Sequence, residues 1–103
     1  MKTLIVLFRL KPGAEVLAYE AWARSTDLPI VRGLPSVEGF EVFRIGNLLG
    51  SDARAPYDYV EMIGIRDTTR FGADVATETM RKVASEFRQF ADSPVFMLTD
   101  RIS

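Results

Sequence analysis

Residues 4–10 read Leu4-Ile5-Val6-Leu7-Phe8-Arg9-Leu10, a run that is apolar on both of its sides. Side chains alternate across a β-strand, so Leu4, Val6, Phe8 and Leu10 share one face and Ile5 and Leu7 the other. The same two-sided character returns at 40–45, where Phe40 and Val42 oppose Phe43 and Ile45. It returns at 59–65, with Tyr59, Ile63 and Ile65 against Val60 and Met62, and at 95–98, with Val95 and Met97 against Phe96 and Leu98. A sheet of such strands needs cover on both faces. The chain offers two helical segments, enough for one face. A second copy of the chain is the expected cover for the other, so the strands imply a homodimer that encloses a pocket.

Composition narrows the chemistry without naming it. The 103 residues suit a single domain, 1–103. A domain of this size buries roughly two-thirds of its unfolded surface. Thirteen basic and fourteen acidic side chains leave a formal charge of -1. That balance carries neither a basic footprint for nucleic acid nor a polybasic membrane patch, so neither is an expected partner. With no cysteine, disulfides, thiolate metal sites and cysteine nucleophiles are excluded. With no histidine, the usual general base, the usual zinc or haem ligand and the serine–histidine triad are excluded too. A metal site would need carboxylates alone, and no dedicated cluster of them stands out; no metal and no cofactor are expected. The first apolar run is too short to span a membrane and lacks a small-residue cleavage site, which predicts the first strand of a cytoplasmic protein.

The pattern along the chain is β-α-β-β-α-β. Strand one covers about 2–10 and ends at Lys11-Pro12-Gly13. A helix over about 14–25 carries Val16, Tyr19, Trp22 and Ala23 on one face and Glu15, Glu20 and Arg24 on the wet side; Pro29 is expected to stop it or to force a break near Asp27-Leu28, with an irregular connection over 28–36 that has room for one tight helical turn. Strand two covers about 38–48, followed by a glycine- and proline-bearing loop, Leu49 to Pro56. Strand three covers about 57–65. Asp67-Thr68-Thr69 offers N-caps for a helix over 68–91, kinked near Gly72, with Met80, Val83, Ala84, Phe87 and Ala91 as its buried stripe. Pro94 breaks it, and strand four runs from about 95 to 102. This order is the α+β ferredoxin-like split βαβ arrangement: a four-stranded antiparallel sheet with two helices on one face.

The order and the two-sided sheet resemble the dimeric α+β barrel proteins, whose sheets meet face to face. Several stretches resemble the RedY-like proteins associated with biosynthesis of prodigiosin-type red tripyrrole pigments. They include Val6-Leu7-Phe8 with Leu10-Lys11-Pro12-Gly13, Tyr19-Glu20-Ala21-Trp22-Ala23, and Thr26-Asp27-Leu28-Pro29 with Val31-Arg32-Gly33-Leu34. Gly39-Phe40-Glu41-Val42-Phe43-Arg44, Tyr57 with Tyr59-Val60-Glu61, and Phe71 to Met80 continue the likeness over the whole chain. More distant barrel relatives often carry a histidine just before a Leu/Ile-Pro. Here Asp27 precedes Leu28-Pro29, so chemistry that depends on that histidine does not transfer.

Candidate site residues follow. Glu61 interrupts an apolar strand; facing an enclosed cavity, it would have a raised pKa suited to acid or base work. The structural alternative is an ion pair with Arg9 or Arg44, each of which also interrupts an apolar strand. Those arginines could instead anchor an acidic or carbonyl-bearing ligand. Trp22, Tyr57 and Tyr59 could line an aromatic slot for a pyrrole or polyketide-like ring, with helix–sheet packing as the alternative for Trp22. Asp27 either caps the turn at Leu28-Pro29 or, by analogy with the superfamily, faces the pocket. Asp74 and Glu78, one turn apart, read as a solvated helix face.

The resemblance implies a small protein of secondary metabolism, of the kind found in antibiotic and pigment biosynthesis. It would bind or convert an aromatic or pyrrole-like intermediate without a cofactor. Glu61 or Asp27 would move a proton, Arg9 or Arg44 would orient a carbonyl, and Trp22, Tyr57 and Tyr59 would stack on the ring. A non-catalytic ligand carrier, a module that docks another biosynthetic enzyme, and a cofactor-free monooxygenase are the alternatives.

Overall fold

The computed structural model describes residues 1–103. Its strands are β1 (Lys2–Leu10), β2 (Val37–Arg44), β3 (Tyr59–Ile65) and β4 (Ala91–Asp100). They form one antiparallel sheet in the order β2-β3-β1-β4. This is the α+β ferredoxin-like architecture expected from the pattern, with the most apolar strand, β1, in the sheet interior.

The helical layer differs from expectation in an instructive way. α1 (Val16–Trp22), a π turn (Ala23–Asp27) and α2 (Leu28–Arg32) run on as one rod, straight through Pro29. Proline has no N–H, and its ring collides with the carbonyl four residues back in a regular helix. Widening the preceding turn relieves that conflict: the Leu28 N–H donates to Ala23 O, five residues back. The second helical region also divides, into α3 (Thr68–Val75) and α4 (Glu78–Phe90). The break lies at Ala76-Thr77 rather than Gly72, because Thr77 caps a new helix by accepting from the Met80 N–H at 3.3 Å. Asp67 caps α3 in the expected place, accepting from the Arg70 N–H at 3.1 Å.

Strand boundaries shift as well. β2 ends at Arg44 and β3 starts at Tyr59, each sooner or later than the apolar pattern suggested. β4 starts at Ala91, directly after α4, with Pro94 inside it. Proline is tolerated there because β4 is an edge strand, and the β1–β4 register shifts between Leu7 and Arg9 at this point, with Ser93 at φ 48.

Helices cover one sheet face. Val6 and Phe8 of β1 are fully buried beneath them. The Phe8 ring stacks on Tyr59 at 5.5 Å and meets the Phe87 ring edge-on at 4.9 Å. A second cluster around Val31, Phe40, Ile63, Met80 and Val83 continues the core toward α2 and α4. The opposite face carries Ile5, Leu7, Phe43, Val60, Met62, Val95 and Met97, and no element of the chain lies over it; Phe43 is 45% exposed and Val95 40%. The two-sided reading of the strands therefore holds within the protomer. Truncating Phe87 to Ala should remove about 3–5 kcal/mol of stability, readable as a lower urea midpoint at fixed protein concentration; a change below about 1 kcal/mol would show that Phe87 is not part of the tight core.

Candidate functional site

β3 decides where Glu61 points. In the ladder it stands opposite Val6 of β1 and Val42 of β2, so it projects with them toward the helices, between Tyr59 and Ile63. The π turn decides where Asp27 sits. Asp27 closes that turn, is 5% exposed like Glu61, and makes no capping hydrogen bond. The capping role considered for it is not found.

Both carboxyls line a cavity of about 500 Å³ between the sheet and the helices. Its walls are chiefly apolar: Leu4, Val6, Val31, Phe40, Ile63, Phe71, Val75, Met80, Val83, Ala84 and Phe87. Arg81, Arg88 and Phe96 also line it and are exposed, which places the mouth between α4 and β4. Neither carboxyl has an ion-pair partner. Tyr19, fully buried, donates its hydroxyl to Glu61 Oε2 over a long 3.4 Å. Burial disfavours the charged form, and Asp27 nearby adds repulsion, so the Glu61 carboxyl is pushed up to about 8. Burial alone pushes Asp27 up to about 7. The Tyr19 hydroxyl is pushed above its ordinary value by burial and by Glu61, so it stays a donor. Two carboxyls that trade protons near neutral pH, on an apolar floor, can act as general acid and general base.

The remaining sequence candidates lie elsewhere. Arg44 does not reach Glu61; its fork grips Glu20, Nε to Oε2 at 2.6 Å and Nη2 to Oε1 at 2.8 Å. Tyr59 donates its hydroxyl to the same Glu20 oxygen at 2.6 Å. Glu20, expected on the wet side, is thus buried and held down at about 2, first by Arg44 and then by Tyr59. Arg44 and Tyr59 line a separate recess of about 360 Å³. Arg9 projects to the opposite sheet face, exposed, with its Nε donating to Pro56 O at 2.5 Å. Tyr57 is half-buried ahead of β3 and does not line the cavity. Trp22 donates Nε1 to Glu86 Oε1 at 2.9 Å and packs on Phe87 and Phe90, all of α4, so it joins two helices, where helix–sheet packing was the expected alternative, and it does not line the cavity. Asp74, read as solvated, accepts from the Ser36 N–H at 3.1 Å. Tyr19 and the two mouth arginines were not singled out by sequence. Tyr19 carries a signal, since it shares the first helix's apolar face; the arginines carry none without the fold.

A family model described as REDY-like protein HapK matches residues 2–102. The crystal structure of HapK from Hahella chejuensis is 33% identical, covering 99% of this chain and 93% of that one, with a TM-score of 0.82. A protein described as an antibiotic biosynthesis monooxygenase is 16% identical, covers 100% of each chain and has a TM-score of 0.73. A protein from Thermobifida fusca, described as dimeric and ferredoxin-like, is 18% identical over 97% of this chain and 90% of that one, with a TM-score of 0.72. These last two likenesses show the fold alone. No curated protein matches.

The raised carboxyls set a pH dependence of stability. In the unfolded chain Glu61 and Asp27 ionise near their ordinary values of 4.5 and 3.8, whereas in the fold they keep their protons to about 8 and about 7. The unfolded state therefore sheds protons first, and stability present below about pH 4 is lost as pH rises toward 8, by an amount on the order of a few kcal/mol. Melting temperature should fall from pH 5 to pH 9 in the wild type and fall less in Glu61→Gln; equal slopes in both would place Glu61 in a wet environment.

Proposed function

This chain belongs to the REDY-like HapK family, and from that premise and the cavity we propose that it is a homodimeric protein of secondary metabolism that moves a proton on a bound aromatic or pyrrole-like intermediate without a cofactor. The observation that supports this reading is the pair of buried carboxyls without cation partners, set in the floor of an apolar cavity. Asp27, the more readily ionised, takes a proton from the ligand; Glu61, still protonated near neutral pH, returns one at a second position, so the step is redox-neutral. Apolar walls hold the ring system and exclude water, which keeps both carboxyls poised. Cytoplasmic location and docking to another biosynthetic enzyme fit the same role. No helix is long and apolar enough to cross a membrane.

The open sheet face supports the homodimer, since its apolar side chains have no cover within the chain. Sedimentation at micromolar concentration should give twice the chain mass, and Leu7→Glu, in the middle of that face, should give the monomer. A wild-type monomer under those conditions would remove the homodimer from the proposal.

The lack of histidine and cysteine favours a second reading, a carrier that holds its ligand unchanged. Native mass spectrometry of freshly purified protein should reveal a co-purified small molecule. Returned to the protein in deuterated water, that molecule should gain deuterium, at least ~100-fold more slowly with Glu61→Gln. Binding without exchange supports the carrier; a gain of one oxygen atom indicates a cofactor-free monooxygenase instead.

A further inference from the structure

Arg81 and Arg88 stand at the cavity mouth with nothing to hold. They lie seven residues apart on α4, hence on one helix face and about 10 Å apart along its axis. The short Ala84 between them also lines the cavity and leaves the space open. Every arginine before Met80 has a partner within the chain: six donate to a carboxylate or a backbone carbonyl, and Arg70 forms an ion pair with Asp74 at 3.8 Å. Arg81 and Arg88 have no such partner, although Glu78 lies three residues before Arg81 on the same helix, a spacing from which ion pairs readily form. Glu86, on the same helix, is occupied by Trp22. A guanidinium left free beside apolar walls suits a carboxylate, sulfonate or phosphate, which it can grip with two parallel hydrogen bonds. At the far end, Asp27 and Glu61 offer an anion no cation to pair with, and their carboxyl oxygens can accept from an N–H or O–H.

We infer that the cavity selects an elongated apolar ligand carrying an anionic group at one end, gripped by Arg81 and Arg88 at the mouth, and an N–H or O–H donor at the other, facing Asp27 and Glu61. The inference rests on the cavity being the ligand site. It adds a polarity: a ring acid enters donor-first, and its neutral analogue binds more weakly.

Two fluorescent dyes test this, because they share an arylamine N–H and ring system and differ in one sulfonate at the end opposite the N–H: 6-anilinonaphthalene-2-sulfonate and N-phenyl-2-naphthylamine. In fluorescence titrations of the full chain, Arg81→Gln/Arg88→Gln should weaken the sulfonate dye about tenfold and the neutral dye less than about twofold. Raising the salt concentration should weaken the sulfonate dye alone. The dyes should displace each other, and Ala84→Trp, which fills the cavity, should weaken both. Unchanged sulfonate affinity in the double variant, with mutual displacement intact, overturns the anion inference and leaves the cavity reading standing. Dyes that ignore each other and ignore Ala84→Trp overturn the cavity reading, and the inference with it.

Discussion

The structure depends on one constraint: the helix-facing side of the sheet is closed to water, yet it carries an acid. Val6, Phe8, Tyr59, Ile63 and Ile65 are buried there at no cost beyond packing. Glu61 occupies the next place in the same row and must either find a cation or keep its proton. The fold supplies no cation. The consequences spread outward from that residue: a hydroxyl from Tyr19 turned toward it, a second carboxyl from the π turn, and a space above both that the helices do not fill.

Glu20 shows that the absence of a cation is local. Both glutamates are buried by the same helix–sheet packing. Glu20 receives the fork of Arg44 and the hydroxyl of Tyr59 and is held near 2; Glu61 receives one long hydroxyl contact and rises to about 8. The same side chain thus has opposite proton occupancy at neutral pH: Glu20 lies near the surface with an arginine in reach, and Glu61 lies deep without one. The first arrangement fastens α1 to the ends of β2 and β3. The second leaves a carboxyl that fastens nothing and holds its proton into the neutral range, the kind of group from which a proton-transfer role is proposed.

What could be read from residues alone follows the range of the interactions. The strands were legible because two-sided alternation is a local pattern; the register that sets Glu61 opposite Val6 was not, since adjacency alone does not fix it. Glu20 was misread because its partner, Arg44, is distant in sequence, and a helical wheel knows nothing of it. At Pro29 the residues left a stop or a break near Asp27-Leu28 open; the irregularity does fall there, but as a wider turn through which the helix continues. That same turn sets Asp27 into the floor, so the irregularity and the site are one event. The cavity itself was not legible: its walls come from α3 and α4 dividing at Thr77, a cap that the continuous apolar stripe concealed. Arg44, though correctly suspected of gripping a carboxylate, grips a different one.

The sheet also ties the two halves of the proposal together. Glu61 and Met62 are neighbours in β3, one facing the cavity and one the open face, and Val6 and Ile5 stand beside them in the same way in β1. A second copy packed on Ile5, Leu7 and Met62 would leave the cavity mouth free, since the mouth lies on the other side, between α4 and β4. What it would restrain is the strand that carries Glu61. A proton-transferring carboxyl gains most from being held within a fraction of an ångström of its target. Dimerisation on the far face would supply that restraint without closing the mouth of the cavity.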